Sequence, residues 1–175
     1  MSSNKRYHTL FLDRDGVINQ KLDKSYVLNV SQITILRGIK DFLYWANENF
    51  DHIFVITNQQ CIGKGLLSDA ELNEINRRIN YLTGSFIQDF FYCPHLVSEN
   101  CTCRKPKDGL FLQAINKYEI SIERSWMIGD SETDLIPAKK LGIKSIFISE
   151  NEKSLLADIN IDSPDKLINA FSKFN

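Results

Sequence analysis

The chain has 175 residues, 43% of them hydrophobic and 25% charged, with 21 basic against 22 acidic side chains, an ordinary globular make-up that can bury a full core. Its near-neutral charge argues against a protein that lives on a nucleic-acid backbone. No apolar run approaches the roughly 20 residues of a membrane span, and the opening MSSNKRYHT lacks the apolar stretch of a secretory signal, so a single domain over residues 1–175, in the cytoplasm, is expected.

Apolar runs rich in β-branched and aromatic residues alternate with helical patterns along the chain. Tyr7–Asp13 predicts the first strand, and Gly38–Asn49 the first helix. A strand over His52–Thr57 leads to a helix over Asp69–Tyr81, where Ser68 and Glu71 form a capping box. A strand over Phe86–Cys93, a helix over Gly109–Lys117 and a strand over Ser125–Gly129 come next. A helix over Glu132–Leu141 ends at Gly142, and a strand over Lys144–Ser149 and a helix over Asp165–Phe174 complete the series. No repeat, linker or low-complexity tract interrupts it. Strands alternating with helices predict an α/β fold, a mostly parallel sheet with helices on both faces. In such sheets a ligand lies outside the carboxyl ends of the strands, and the polar motifs fall there.

The first is Asp13-Arg14-Asp15-Gly16. Two carboxylates one residue apart on an extended segment share a side and together suit a hard divalent cation; Arg14 between them would then turn away as a structural residue. Alone, the motif reads equally well as an Asx turn. An EF-hand loop does not fit, because Gly16 falls at loop position 4 and Lys24 at position 12. Thr57-Asn58-Gln59 follows a strand and could hold phosphate oxygens, although Thr-Asn by itself is a common cap. Lys105, before Pro106, offers a point positive charge to a phosphoryl group, or else belongs to a solvated basic turn. Asp130 ends a strand, while Asp134 opens a helix, where the dipole favours a carboxylate in any case.

Cys93, His95, Cys101 and Cys103 read Cys-x-His, five residues, Cys-x-Cys. Three thiolates and one imidazole suit a closed tetrahedral Zn²⁺ site, structural rather than catalytic, in a loop over residues 93–103. Cys61 stands alone and reads as a small core residue. Trp45 and Trp126 read as core, and His8 and His52 as structural or surface residues.

In order, Asp-x-Asp, Thr, Lys and Gly-Asp-x-x-x-Asp resemble the haloacid dehalogenase (HAD) superfamily of phosphotransferases over about residues 7 to 149. The resemblance implies a Rossmann-like HAD fold. Asp13 would be the nucleophile that forms an aspartyl-phosphate, and Asp15 the acid that protonates the leaving alcohol and then activates water. Mg²⁺ would be held by Asp13, the backbone carbonyl of Asp15 and Asp130, with Asp134 supporting the metal shell. Thr57, Asn58 and Lys105 would stabilise the phosphoryl oxygens, and Gln59 and Arg104 would join Asn58 and Lys105 in binding substrate.

The segments D-R-D-G-x-I-N, T-N-Q, C-P-H…C-x-C-R-K-P and G-D together are similar to a branch that contains the D-glycero-D-manno-heptose 1,7-bisphosphate 7-phosphatases and the histidinol-phosphate phosphatases. That branch lacks a cap domain and uses a zinc loop to shape the substrate entrance. The 43 residues between Asp13 and Thr57 leave no room for a cap here either. The resemblance thus implies an enzyme of carbohydrate metabolism that acts on a small sugar phosphate, with the heptose substrate as first reading; the chain is expected to be a monomer. The short zinc loop looks more like the histidinol-phosphate group, Ser131 stands where the heptose group has lysine, and the stretch after Asn19 carries an insertion. That stretch, Gln20 to Tyr26, is expected to help choose the substrate. A receiver-type signalling domain shares the acidic residues, Thr and Lys, but its phosphorylated aspartate follows a later strand and it has no zinc loop. A polynucleotide 3′-phosphatase is disfavoured by the absence of a basic, aromatic-lined stripe.

Overall fold

A computed structural model describes residues 5–23 and 25–173. Six parallel strands form one sheet: β1 (Tyr7–Leu12), β2 (Phe50–Asn58), β3 (Asp89–Cys93), β4 (Trp126–Gly129), β5 (Lys144–Ile148) and β6 (Ile159–Ile161), in the order β3-β2-β1-β4-β5-β6. Among the described residues five α-helices flank it: α1 (Ile39–Asn49), α2 (Asp69–Leu82), α3 (Gly109–Tyr118), α4 (Glu132–Leu141) and α5 (Leu167–Ser172).

The central strands are apolar on both sides because both faces are covered. Leu10, Leu12, Ile53, Val55 and Ile128 point into a core built with Phe42 and Leu43 of α1, Leu72 and Ile75 of α2 and Phe171 of α5. Their neighbours Phe11, Phe54, Ile56 and Met127 enter a second core with Leu110 and Phe111 of α3 and Ala138 of α4. The period-2 alternation of each strand thus serves two hydrophobic layers. Trp126 is buried in the first, Trp45 packs on its margin, and Cys61 is buried there as expected.

Three expectations change in detail. The third strand begins at Asp89 rather than Phe86, because Gly84 and Ser85 take positive φ and the Asn80 amide holds both the N–H and the carbonyl of Ile87 in a turn. β6 had no counterpart in the sequence reading. The expected helix over Asp165–Phe174 is a 3-10 turn over Pro164–Lys166 followed by α5; Phe174 and Lys24 lie outside the described residues. Strand order reverses on the two sides of β1, so the crevice beside β1 and β4 is where a doubly wound sheet receives its ligand.

Candidate active site

β1 delivers Asp13 and β4 delivers Asp130 to that crevice, and the Asp13 amide donates to the Ile128 carbonyl at 3.0 Å. Lys105 enters from the far side. Its Nζ lies 2.8 Å from Asp13 Oδ1, 2.6 Å from Asp134 Oδ1 and 2.6 Å from the Ile56 carbonyl. An ammonium has three protons, and each has an acceptor. Burial alone would lower the Lys105 pKa, but the charges of Asp13 and Asp134 prevail and hold it above its ordinary value. Asn58 fixes the lysine's main chain: its Oδ1 accepts the Lys105 N–H at 3.0 Å and its Nδ2 donates to the Lys105 carbonyl at 3.1 Å. The Asn58 amide is therefore committed to Lys105 in this state.

Carboxylate oxygens of Asp13, Asp130 and Asp134 lie within 4.8 Å of one another. Burial, and then the charge of Asp13, raises the Asp130 pKa. Burial foremost pushes Asp134 up to about 7, against the pull of Lys105. Oδ1 of Asp130 is buried without a hydrogen-bond partner. Lys105 and Lys21, the latter on Asp130 Oδ2 at 2.6 Å, supply two positive charges to three carboxylates, and the orphan oxygen asks for a further cation. The all-oxygen donor set fits Mg²⁺. Gly16 makes the approach possible: its φ is +102°, and a Cβ there would stand 2.2 Å from Asp130 Oδ2.

Arg14 requires a correction. It does not turn away from the aspartates: fully buried, it bonds Asp15 Oδ2 through Nε at 3.1 Å and Nη2 at 2.9 Å. It also reaches Gln59 Oε1 at 3.0 Å and Asn76 Oδ1 at 3.1 Å. Strand geometry ends at Leu12, so side-chain alternation does not carry through residues 13–15. Gln59 Nε2 links Asp15 Oδ2 to Thr57 Oγ1, at 3.0 Å each, and Asn19 donates to Asp15 Oδ1 at 3.2 Å. Asp15, partly exposed, and the buried Thr57 and Gln59 thus form one network beside the acidic cluster.

Asp13, Asp15, Thr57, Asn58, Gln59, Lys105, Asp130 and Asp134 line a cavity of about 410 Å³. Arg104 lines it too, with Nη1 buried and without a hydrogen-bond partner. So do Lys21 and Thr133, which the sequence reading did not single out. Thr133 is an unspecified position of Gly-Asp-x-x-x-Asp, and Lys21 falls in the Gln20–Tyr26 stretch, where a lysine in a polar loop leaves no periodic or spacing signal.

The cysteine cluster sits at the end of β3. Cys93 Sγ is 3.5 Å from Cys101 Sγ and 3.6 Å from His95 Nδ1; Cys103 Sγ is 3.6 Å from Cys101 Sγ and 3.3 Å from His95 Nδ1. A tetrahedral Zn²⁺ with ordinary bond lengths has ligand–ligand edges of about 3.4 to 3.8 Å; three of these distances lie in that range and the His95–Cys103 distance of 3.3 Å lies just under it, so the four residues fit that ion with a small adjustment. Burial, reinforced by the other two thiols, pushes Cys103 up to about 12. In Cys101 burial acts in the same direction, but the Arg104 amide and the flanking thiols outweigh it and bring the thiol down to about 7. Without a cation the three thiols cannot all ionise at neutral pH. Gly63 ties this loop to the turn after β2, donating to the Pro94 carbonyl at 3.0 Å.

Residues 102–173 match the HAD-hydrolase-like family model. The chain is 36% identical over 152 residues to the D-glycero-β-D-manno-heptose-1,7-bisphosphate 7-phosphatase of Helicobacter pylori strain 26695, covering 83% of each chain. It is also 36% identical over 167 residues to the D-glycero-α-D-manno-heptose-1,7-bisphosphate 7-phosphatase of Mycobacterium tuberculosis, covering 88% of this chain and 86% of that one. In fold it is similar to the D,D-heptose 1,7-bisphosphate phosphatase from B. bronchiseptica, solved with magnesium and phosphate, with a TM-score of 0.81, 22% identity and coverage of 95% and 99%. The chain belongs to the HAD superfamily, in the branch of the heptose-bisphosphate phosphatases. It is a phosphoric monoester hydrolase. Among the described residues no helix is long and apolar enough to cross a membrane.

Proposed function

We propose that this chain removes the 7-phosphate of a D-glycero-D-manno-heptose 1,7-bisphosphate, through an aspartyl-phosphate on Asp13. The observation that carries the reading is Lys105, held between Asp13 and Asp134 at the bottom of a cavity lined by Asp15, Thr57, Arg104 and Asp130. Oδ1 of Asp13 is engaged by Lys105, so Oδ2 is the oxygen that bonds phosphorus as the bond to the sugar oxygen breaks. Asp15, oriented by Arg14, Asn19 and Gln59, gives its proton to that leaving oxygen. In the second half it takes a proton from the water that attacks phosphorus, and Asp13 is restored as inorganic phosphate leaves. Lys105 and Thr57 meet the phosphoryl oxygens, and Arg104 offers Nη1 to the substrate. Asp13, the Asp15 carbonyl and Asp130 would hold Mg²⁺, with Asp134 beside them. When bound, the ion supplies positive charge that offsets the repulsion between an anionic nucleophile and an anionic phosphate.

Zn²⁺ on Cys93, His95, Cys101 and Cys103 is a structural clip that shapes the cavity mouth, and thiolate ligands suit a reducing, cytoplasmic setting. The whole chain acts as one domain, as a monomer. The zinc loop, five residues between His95 and Cys101, favours histidinol phosphate as the second reading. Phosphate release from both anomers of heptose 1,7-bisphosphate, from histidinol phosphate and from simple sugar phosphates, with Mg²⁺, tests the proposal. The heptose bisphosphate is expected to have the highest kcat/KM. A higher value for histidinol phosphate would replace the first reading with the second.

A further inference from the structure

Lys21 lies on the loop between β1 and α1, at the rim of the cavity. Its Nζ meets Asp130 Oδ2 at 2.6 Å, across 109 positions of sequence, although the side chain is 59% exposed. The main chain around it is anchored on both sides. Asn19 Oδ1 accepts the Thr34 N–H at 2.7 Å, and the Tyr26 hydroxyl accepts from Gln60 Nε2 at 2.7 Å and from Lys64 Nζ at 2.9 Å. The base of the loop is therefore fixed while the four-carbon stem of Lys21 can swing.

Charge matching decides what that stem is for. Lys105 and one divalent cation together balance Asp13, Asp130 and Asp134, and Arg14 balances Asp15. With the metal in place the Lys21 charge is surplus, and it stands close to a dication in a half-buried site that screens poorly. The repulsion is reciprocal: the metal weakens the Lys21–Asp130 pair by the same factor by which Lys21 weakens the metal. A surplus cation at the rim of a phosphate-binding cavity suits a further anionic group. Arg104, whose Nη1 has no hydrogen-bond partner, lines the same cavity.

Resting on the phosphatase reading above, we propose that Lys21 is a specificity residue. It is latched on Asp130 in the metal-free protein, released when the divalent cation takes that carboxylate, and then pairs with the second, non-reacting phosphate of a bisphosphorylated substrate. Lys21→Ala and Lys21→Arg test this in two ways. Calorimetric titration of the substrate-free chain with Mg²⁺ is expected to show about 5-fold or more tighter binding in Lys21→Ala than in the native chain, with Lys21→Arg close to native. The ratio of kcat/KM for heptose 1,7-bisphosphate over heptose 7-phosphate is expected to fall by about 10-fold or more in Lys21→Ala and to be retained in Lys21→Arg. Unchanged Mg²⁺ affinity in Lys21→Ala overturns the latch. An equal loss on the two substrates overturns the specificity role and assigns Lys21 to the reacting phosphate. A native chain that hydrolyses neither sugar phosphate fails the phosphatase reading itself, and the specificity role with it, whatever the titration shows.

Discussion

Lys105 holds Asp13, Asp134 and the Ile56 carbonyl with one ammonium group. Replacing it with methionine keeps much of the volume and leaves two buried carboxylates without their cation. Breaking a buried pair in this way costs about 3 to 5 kcal/mol, and loss of one phosphoryl-stabilising charge costs about 10² to 10³ in kcat. Lys105→Met is thus expected to unfold at clearly lower urea and to lose nearly all turnover; an unchanged urea midpoint would contradict the buried-pair account. Gly16→Ala acts on Asp130 instead. A methyl group 2.2 Å from Oδ2 at a φ of +102° must push the carboxylate aside, with strain of about 1 to 3 kcal/mol. The expected result is weaker Mg²⁺ binding by calorimetry at nearly native secondary structure by circular dichroism. At this scale the motif residues were legible, because Asp13, Asp15, Thr57, Lys105 and Asp130 each follow a strand end or open a loop. Arg14, Asn58 and Lys21 were not read correctly or fully, since their partners Asp15, Lys105 and Asp130 are fixed by the turn after β1 and by long-range packing rather than by period.

The loop that carries Cys93, His95, Cys101 and Cys103 is short, joined to β3 at one end and to α3 through Lys105 at the other. With Zn²⁺ bound, as proposed above, it would be a clip, and loss of the ion would loosen both the cavity mouth and the clamp on Lys105. Metal analysis is expected to find zinc near one per chain, and Cys101→Ser is expected to lower both the zinc content and the melting temperature. Zinc far below one per chain in the native protein would contradict the clip. At the opposite end of the sheet, His8 on β1 accepts the Ser121 N–H through Nδ1 at 3.2 Å. Burial foremost, then His52 and Arg124, against the pull of Asp51, lowers its pKa. The unfolded chain therefore takes up this proton more readily, so the contribution of His8 to stability is intact above its ordinary value near 6.5 and is lost as the pH falls through that value toward the folded one. The urea midpoint should drop between pH 7.5 and 5.5, and His8→Asn, which keeps an acceptor, should show a smaller drop. An equal drop in both would remove His8 from the explanation. Elements with long periodic signals were legible nearly to their ends, as with α2 and α4. β6, three residues long, was not, because Ile-Asn-Ile gains strand character only from pairing with β5.

Two apolar layers around one parallel sheet place every motif at the same rim of the molecule. That placement gathers Asp13, Asp130 and Asp134 within reach of one ion, so a divalent cation bound there would stabilise the fold. A ligand at about 100 times its Kd adds about 2.7 kcal/mol, so saturating Mg²⁺ should raise the melting temperature and a chelator should reverse it. Asp130→Asn should abolish most of that rise. The architecture was legible from alternation alone, whereas the contents of the cavity beyond the motifs depended on where the loop after Asn19 folds back. In the proposed reaction the phosphoryl group passes through Asp13. Acid quenching during turnover of heptose 1,7-bisphosphate, followed by peptide mass spectrometry, tests it most directly. A phosphoryl group on the peptide that carries Asp13, absent in Asp13→Asn along with phosphate release, is the result expected. Phosphate release by Asp13→Asn at a rate near that of the native chain would contradict the covalent mechanism.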